Sequence, residues 1–256
     1  KVVLYGAGSS NTTIARLLML EGVDPLKMIV FDNIGTLHKN RKDIETDPRL
    51  YLKWDICIKT NPNQIETHED AFQDADVLIA LSAPGPDIIK PEWIRRMASK
   101  SIVFTCANPI PEIYPHAAKA AGAFIVATGR GDFPNQVNNS IGFPGILKGT
   151  LIVRASKITD NMAVAAAHSL AKYAVKRGIN PDNIVPTMDE ADVFPHEAAD
   201  VAMQAIADGV ARVKMTRQEV YEIAKKDILH ARNMTDELIH SGYIQEPPLE
   251  MIQKAM

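Results

Sequence analysis

Short runs of consecutive apolar residues alternate with longer segments of mixed polarity along the first 150 positions. Five runs rich in Val and Ile have the pattern of strands, and they cover residues 2–5, 28–31, 77–81, 102–105 and 124–127. Strands that are apolar at nearly every position are buried on both faces, as in a parallel sheet covered by helices. The pattern therefore predicts an α/β fold built on a mostly parallel sheet.

The segments between these runs carry helical patterns and helix end signals. We expect helices over residues 11–21, 67–73, 91–98 and 112–121, of which the first ends at Gly22 and the last at Gly122. Strands that alternate with helices and connect by right-handed crossovers form a doubly wound, Rossmann-like sheet. This is the fold class that the first half of the chain predicts.

Strand signals nearly cease after residue 150. Helical patterns cover residues 159–177 and 196–213, and Thr216 with Glu219 forms a capping box that starts another helix towards Arg232. We therefore expect one domain with a Rossmann-like core over residues 1–150 and a helical segment over 151–256. The sequence leaves open whether this segment packs on the core or on another domain.

The first predicted strand leads directly into the run Gly6-Ala7-Gly8-Ser9-Ser10-Asn11. This run matches the dinucleotide fingerprint G-x-G-x-x-G except at its last position. Asp32 ends the second strand, where dinucleotide sites place a carboxylate that accepts hydrogen bonds from the adenosine ribose. A strand-to-helix turn that merely uses glycine is the alternative. The strand, the spacing and Asp32 together favour a dinucleotide site.

Asn11 stands where the third glycine normally lets the helix pack closely on the strand. Asn is a favoured helix N-cap and can donate to a phosphate oxygen, so we predict that Asn11 contacts the cofactor. Asp32 favours NAD, because a carboxylate repels the 2′-phosphate of NADP. Lys39, Arg41 and Lys42 follow closely and could instead serve NADP.

Three further segments follow the ends of predicted strands, where ligands collect in such sheets. They read LSAPG from Leu81, TCANPIPE from Thr105 and ATGRGDFPNQVNNSIGFPG from Ala127. The side-chain amides in the last two segments are those of Asn108, Asn135, Gln136, Asn138 and Asn139. Amides both donate and accept hydrogen bonds, so they suit a hydroxy acid, a keto acid or a nicotinamide. Each could equally be a turn former.

Composition narrows the possible partners. A net charge of −3 gives no basic surplus for nucleic acid or an anionic membrane. Cys57 and Cys106 stand singly and are expected to be reduced, buried thiols of a cytoplasmic protein. His196 and Asp200 lie one helical turn apart and could bind a metal, although an acidic first turn of a helix is the simpler interpretation.

Taken together, GAGSSN, ADVLIALSAPG, FTCANPIPE and VATGRGDFPNQVNNSIGFPGILKG resemble the NAD(P)-binding domain of the malic enzymes in their compact bacterial or archaeal form. The resemblance implies oxidation of L-malate with NAD or NADP, followed by decarboxylation to pyruvate and CO₂ with Mg²⁺ or Mn²⁺. It implies that Asn108 and Asn139 hold the substrate and that Ser82, Ala83 and Pro84 border the nicotinamide ribose. The implied pyrophosphate and adenosine site comprises Gly6, Gly8, Ser9, Ser10, Asn11, Asp32 and Asn33.

In the malic enzymes the acid tyrosine, the base lysine and the acidic metal ligands precede the glycine loop. This chain starts at Lys1, inside the strand before that loop. The resemblance thus implies a fragment that binds cofactor but carries no catalytic or metal-binding residue. It would require an N-terminal domain of the same enzyme, and a homodimer or larger assembly is expected. A malolactic-type enzyme, which makes lactate, and a non-catalytic nucleotide-binding module remain the alternatives.

Overall fold

The strands form one parallel sheet in a computed structural model that describes residues 1–245 and 248. The strands are β1 (Val2–Tyr5), β2 (Met28–Phe31), β3 (Val77–Ala80), β4 (Ile102–Thr105) and β5 (Ile125–Thr128). Their order is β2-β1-β3-β4-β5, and every neighbouring pair is parallel. The predicted α/β, Rossmann-like fold is confirmed. Three of the five strands have the predicted bounds, whereas β3 ends one residue earlier and β5 is shifted by one residue.

Ten α-helices lie within the described residues. They are α1 (Ser9–Leu20), α2 (Lys42–Glu45), α3 (Tyr51–Lys59), α4 (His68–Phe72), α5 (Pro91–Ile94), α6 (Pro115–Ala120), α7 (Phe143–Ile152), α8 (Asp160–Arg177), α9 (Val193–Ala207) and α10 (Arg217–His240). The capping box before α10 is present as predicted, with both of its hydrogen bonds. The sequence analysis did not predict α2, α3 or α7.

Apolar side chains are buried on both faces of the sheet because neighbouring strand residues point in opposite directions. On one face Val3, Ile29 and Leu78 pack with residues of α4, α5 and α6. On the other face Leu4 and Val30 pack with residues of α1, α2 and α3. Both faces are therefore covered, which explains why the strands are apolar at nearly every position.

The chain packs as two compact units. The first comprises residues 1–141 with 170–187, and the second comprises residues 142–169 with the described residues from 188 onwards. The sheet and the predicted binding residues all belong to the first unit. The division of the domain at residue 150 stays a prediction. None of the helices in the described part of the chain is long and apolar enough to cross a membrane.

In the second unit, glycines allow α7 and α9 to approach closely. A Cβ atom on Gly149 would lie 2.3 Å from the carbonyl oxygen of Ala198, and one on Gly145 would lie 2.1 Å from Oε2 of Glu197. The sequence pattern missed α7 because its Pro144 and its two glycines look like helix breakers. Proline is tolerated in the first turn of a helix, and here the glycines are the residues that face α9.

Glu197 is a buried carboxylate in this second unit. It is completely inaccessible to solvent, and neither of its oxygens accepts a well-formed hydrogen bond within the described residues. Burial raises the pKa of Glu197 to about 8, although the nearby Gly145 backbone favours the charged form slightly. At neutral pH this side chain is therefore held largely as the neutral acid.

Candidate cofactor and substrate site

The glycine loop lies at the point where the sheet changes winding direction. The chain leaves β1 towards β2 on one side, whereas β3 pairs with β1 on the other, so the carboxyl ends of β1 and β3 border a crevice. Gly6 has φ of +100°, and a Cβ atom there would lie 2.5 Å from the carbonyl oxygen of Leu81. Only glycine fits this position. Gly8 is the N-cap of α1 and has no atom within 4 Å of its Cβ position, so the backbone is open to a ligand.

Asn11 fixes the glycine loop to the sheet. It is completely buried, and its Nδ2 donates to the carbonyl oxygens of Tyr5 at 3.1 Å and Gly6 at 2.9 Å. The N-cap of α1 is Gly8 and not Asn11. A contact between Asn11 and the cofactor stays a prediction.

A cavity of about 720 Å³ opens beside the glycine loop. Its lining includes six of the predicted cofactor residues, namely Gly6, Gly8, Asp32, Asn33, Ser82 and Ala83. The crevice at the strand ends therefore brings together residues that are far apart in sequence. We refer to this space as the first cavity.

Asp32 lies in the first cavity as part of a tight ion pair. Its Oδ1 accepts from the backbone N–H groups of Ile34 at 2.9 Å and Gly35 at 3.0 Å. Arg41 donates to Oδ1 from Nη1 at 3.1 Å and to Oδ2 from Nη2 at 2.8 Å. Burial alone would raise the pKa of Asp32, but these hydrogen bonds outweigh it and hold the pKa below the usual value. Arg41 also pairs with Asp43, so the structure does not leave it free to serve NADP.

Aromatic rings form another wall of the first cavity, which the sequence analysis did not identify. The His68 ring stacks on Trp93 with centroids 4.1 Å apart and on Phe31 with centroids 4.8 Å apart. The hydroxyl of Tyr5 lies 3.2 Å from Nε2 of His68. Burial lowers the pKa of His68, so the ring is mostly neutral at neutral pH. Tyr5, Phe31 and His68 therefore give one side of the first cavity an aromatic lining.

A second cavity of about 610 Å³ lies on the other side of the β3 end, and Leu81 lines both spaces. Asn108 and Asn139 line this second cavity together with Ser10. Both asparagines are exposed, and neither side-chain amide forms a hydrogen bond with any part of the chain that the structure describes. The pair predicted to hold a substrate is therefore brought together, with free donors and acceptors.

The other two asparagines of the same segment have structural roles. Asn135 is buried, and its Nδ2 donates to the carbonyl oxygens of Val126 at 3.0 Å and Pro181 at 2.8 Å. Nδ2 of Asn138 donates to the carbonyl oxygen of Gly129 at 3.1 Å. These bonds hold the loop in place, which leaves Asn139 as the free asparagine amide of this segment. The turn-forming interpretation thus applies to Asn135 and Asn138.

Glu112 joins the loops that follow β3 and β4, and the sequence analysis missed it. Its side chain is fully buried. Oε1 accepts from the backbone N–H of Ser82 at 2.8 Å, and Oε2 accepts from the backbone N–H of Ala107 at 3.1 Å. Burial raises the pKa of Glu112, and the hydrogen bonds from Ser82 and Ala107 offset part of that rise. The sequence analysis had singled out the segment TCANPIPE, whose last residue is Glu112, but had considered only its side-chain amide.

We expect Glu112→Gln to lower the free energy of unfolding by about 1–3 kcal/mol, because its NH₂ group would face a backbone N–H that loses its acceptor. Nucleotide affinity should also fall, since the loops carrying Ser82 and Asn108 lose a shared anchor. Denaturant unfolding and calorimetric titration measure the two effects. Glu92→Gln, at an exposed position on α5, is the control. Equal unfolding curves for the Glu112 variant and the wild type would contradict this prediction.

The two side chains that the sequence suggested as metal ligands, His196 and Asp200, contact other residues. Within residues 1–245 and 248, no group of three or more His, Cys, Asp or Glu side chains could hold a metal ion. Asp200 instead accepts from Nε of Arg217 at 2.7 Å, and the ring of His196 packs against Tyr221. Nε of Arg130 donates to Oδ1 of Asp132 at 2.8 Å in the loop after β5.

Comparison with known proteins identifies the family. Residues 1–208 match the family model described as malic enzyme, NAD binding domain. The chain belongs to this family. It is 37% identical over 227 residues to the bifunctional malic/malolactic enzyme of Bacillus subtilis, covering 88% of this chain and 53% of that protein. It is 36% identical over 227 residues to the NADP-dependent malic enzyme of Halomonas elongata, covering 83% of this chain and 51% of that protein.

A solved structure supports the same assignment. The crystal structure of the malic enzyme of Entamoeba histolytica is 61% identical and superposes with a TM-score of 0.96. The match covers 99% of this chain and 52% of the other. This malic enzyme NAD-binding domain therefore spans about half the length of the relatives it matches.

The predicted binding residues of this malic enzyme domain divide between the two cavities. Six line the first cavity, and Ser10, Asn108 and Asn139 line the second. Ser9, Asn11 and Pro84 line neither. Ser9 is exposed in the first turn of α1 and Pro84 is exposed after β3, whereas Asn11 is buried. Contacts of these residues with cofactor or substrate stay predictions.

Proposed function

We propose that this chain is the cofactor-binding half of an enzyme that oxidises L-malate with NAD or NADP and decarboxylates the product to pyruvate and CO₂. In this proposal the first cavity takes the adenosine and pyrophosphate, and the second takes the nicotinamide and malate. Residues of the glycine loop suit the pyrophosphate, because Gly8 leaves the N-terminus of α1 open to an anion.

The observation that carries the proposal is the pair of free amides in the second cavity. Asn108 and Asn139 are exposed, line one cavity and make no hydrogen bond within the described residues. An amide can donate to a carboxylate through Nδ2 and accept from a hydroxyl through Oδ1. Two such groups suit a hydroxy acid, which carries both functions on adjacent carbons.

The residues of this chain bind and orient the substrate in the proposed reaction. The chemistry that a bound nicotinamide cofactor would supply is acceptance of the hydride from C2 of malate. Asn108 and Asn139 hold the carboxylate and hydroxyl so that C2 faces the ring, and orientation of this kind lowers the barrier. Burial raises the pKa of the Cys106 thiol in this cavity to about 12. Cys106 is therefore a neutral thiol at physiological pH and does not take the hydroxyl proton.

Proton transfer and metal binding are assigned, in this proposal, to sequence outside the chain. The relatives are about twice as long as the matched region, which leaves room for an N-terminal domain. The described residues bring no metal-binding group together, so we derive no step through Mg²⁺ or Mn²⁺ here. A metal requirement of the longer protein stays a prediction.

The test uses the full-length protein that carries this chain. We expect malate-dependent formation of NADH or NADPH with equal formation of pyruvate. Asn108→Ala and Asn139→Ala should each lower kcat/KM for malate by about 100-fold, the loss seen when one positioned donor is removed from a reacting group. Nucleotide affinity should change little. The 256-residue chain alone should bind nucleotide without oxidising malate.

Asn63→Ala is the matched control, because Asn63 is an exposed amide that lines neither cavity. It should retain wild-type kinetics. If the Asn108 and Asn139 variants also retain wild-type kinetics, the second cavity is not the malate site. Malate oxidation by the isolated chain would contradict the assignment of proton transfer and metal binding to sequence outside it.

Two alternative functions predict different results in this experiment. A malolactic enzyme would release lactate, and the name of the Bacillus subtilis relative includes this activity. Chromatography of the products distinguishes pyruvate from lactate. A non-catalytic nucleotide-binding module would bind cofactor in the full-length protein without consuming malate.

We also propose that the protein is cytoplasmic and works as a homodimer or a larger assembly. The proposal rests on its membership of the malic enzyme family. Sedimentation of the full-length protein measures the assembly state, and cell fractionation measures the location. A monomer at enzyme concentrations in the micromolar range would contradict the first part.

A further inference from the structure

Arg130 lies in the loop after β5 and joins this loop to the loop after β4. Its Nη1 donates to the carbonyl oxygen of Pro109 at 3.0 Å. Its Nε and Nη2 donate to the two carboxylate oxygens of Asp132 at 2.8 and 2.6 Å. The guanidinium also lies over the ring of Phe133, with Cζ 5.5 Å from the ring centroid. The contacts with Asp132 and Phe133 fix the direction of the side chain, so the donor to Pro109 is held in place.

The hydrogen bond to Pro109 is made directly beside Asn108, the exposed amide that lines the second cavity. On the other side of Asn108, the backbone N–H of Ala107 donates to Oε2 of Glu112 at 3.1 Å. The backbone is therefore held on both sides of Asn108, by Glu112 from the same loop and by Arg130 from the next loop. This arrangement orients the Asn108 side chain although its own amide makes no hydrogen bond within the described residues.

The loop after β5 also lies beside the amide of Asn108 and supports Asn139. A Cβ atom on Gly129 would lie 3.5 Å from Oδ1 of Asn108, so this amide lies against a position without a side chain. The carbonyl oxygen of Gly129 accepts from Nδ2 of Asn138 at 3.1 Å, and Asn138 directly precedes Asn139. The backbone at Gly129 and Arg130 thus contacts both segments that carry the free amides.

We propose that Arg130 is a positioning residue for malate oxidation, which keeps Asn108 in place relative to Asn139 by joining the two loops. The inference rests on the proposed function, because it requires malate in the second cavity. Arg130 does not line that cavity, so it acts through Asn108 and not on the substrate. Its side chain is one-third exposed, and an exposed ion pair such as the one with Asp132 contributes little to stability. The contact that matters in this proposal is the hydrogen bond to the other loop.

The experiment uses the full-length protein that carries this chain. Arg130→Ala should lower kcat/KM for malate by about 10- to 100-fold, because misplacement of a bound group by about 1 Å costs about 100-fold. Affinity for NAD and NADP, measured by calorimetric titration, should stay within about twofold. The melting temperature should fall by less than about 4 °C. Arg130→Lys keeps a charged donor but not the planar fork, so its activity should lie between those of the wild type and the alanine variant.

A double-mutant cycle tests whether Arg130 acts through Asn108. In a protein that already carries Asn108→Ala, Arg130→Ala should lower kcat/KM for malate by less than about threefold, because the group that Arg130 positions is gone. Arg49→Ala is the matched control. Arg49 donates to both oxygens of Asp47, two positions away, but reaches no other loop within the described residues and lines neither cavity. It should retain wild-type kinetics.

Three results would overturn the proposed role of Arg130. The first is wild-type kinetics of Arg130→Ala, and the second is a full additive loss when Arg130→Ala is combined with Asn108→Ala. The third is a loss of nucleotide affinity as large as the loss of kcat/KM, which would indicate a general structural role. Failure of the wild-type full-length protein to oxidise malate would instead overturn the proposed function.

Discussion

Replacement of Gly6 by alanine is expected to lower the free energy of unfolding by about 2–4 kcal/mol, within the range for a mutation that combines backbone strain with a steric clash. Gly6 has φ of +100°, where L-amino acids with a side chain are strained. The new methyl group would also lie 2.5 Å from the carbonyl oxygen of Leu81. Because this oxygen is backbone of the loop after β3, it cannot move aside as a flexible side chain would.

Gly8→Ala is the matched control for this prediction. Gly8 has φ of −79°, which alanine adopts readily, and its Cβ position is open. We expect a loss of less than about 1 kcal/mol, which reflects the lower preference for alanine at an N-cap. Nucleotide affinity should nevertheless fall, because the methyl group would project into the first cavity. Gly6→Ala should thus mainly lower stability, whereas Gly8→Ala should mainly lower nucleotide affinity.

Urea unfolding measures the stability of both Gly6 and Gly8 variants, and calorimetry measures nucleotide binding where the variant is folded. If Gly6→Ala unfolds at the same urea concentration as Gly8→Ala, the close approach of Gly6 to Leu81 is not a constraint on the fold. If Gly8→Ala binds nucleotide as well as the wild type, the open backbone at the N-terminus of α1 is not the pyrophosphate site.

Glu197→Gln should stabilise the protein by about 2 kcal/mol or more at pH 9, since each unit of pKa difference corresponds to about 1.4 kcal/mol. The pKa of this carboxyl is raised from 4.5 to about 8 because burial disfavours the charged form. Glutamine has nearly the same shape as the neutral acid but never ionises. The variant therefore removes the cost of a buried charge.

The sign of the pH dependence follows from the protons bound in each state. Between pH 4.5 and about 8 the folded protein holds a proton on Glu197 that the unfolded chain has released. The contribution of Glu197 to stability is thus largest below pH 4.5 and declines as the pH rises to about 8. Above that range both states are ionised, and the loss becomes constant.

Urea unfolding of the wild type and of Glu197→Gln between pH 5 and pH 9 tests this prediction. The difference between the two should grow with pH in favour of the variant. Glu237→Gln, at an exposed position on α10, should follow the wild type throughout. A constant difference between wild type and Glu197→Gln across the range would contradict the assignment of a raised pKa.

Much of the fold could be predicted because its signals are local. Each of the five apolar runs predicts one buried strand. The glycines of the first loop predict a turn that few other residues can form. Their position after strand ends drew attention to all five amides of the two later segments, and the resemblance to the malic enzymes singled out Asn108 and Asn139. By contrast, α7 was missed because Gly145 and Gly149 resemble helix breakers until the position of α9 is known.

The role of each polar residue was harder to predict, because it depends on partners distant in sequence. Asn11 looked like a phosphate ligand, yet its amide is buried against carbonyl oxygens of β1 and the glycine loop. Asp32 was correctly placed at the end of β2. Arg41 had been noted as a residue that could serve NADP, but the sequence did not reveal that it forms an ion pair with Asp32.

The sequence by itself determined the α/β fold, the glycine loop at the first strand end and the segments that form the candidate site, since these follow from local pattern and from the resemblance to the malic enzymes. Only the tertiary structure decided which polar groups are free. Asn135, Glu112 and Arg41 are bound to partners that the fold brings near, whereas Asn108 and Asn139 retain free amides in a cavity. A polar side chain is free or occupied according to which groups lie near it in the fold. These distances cannot be read from the order of the residues.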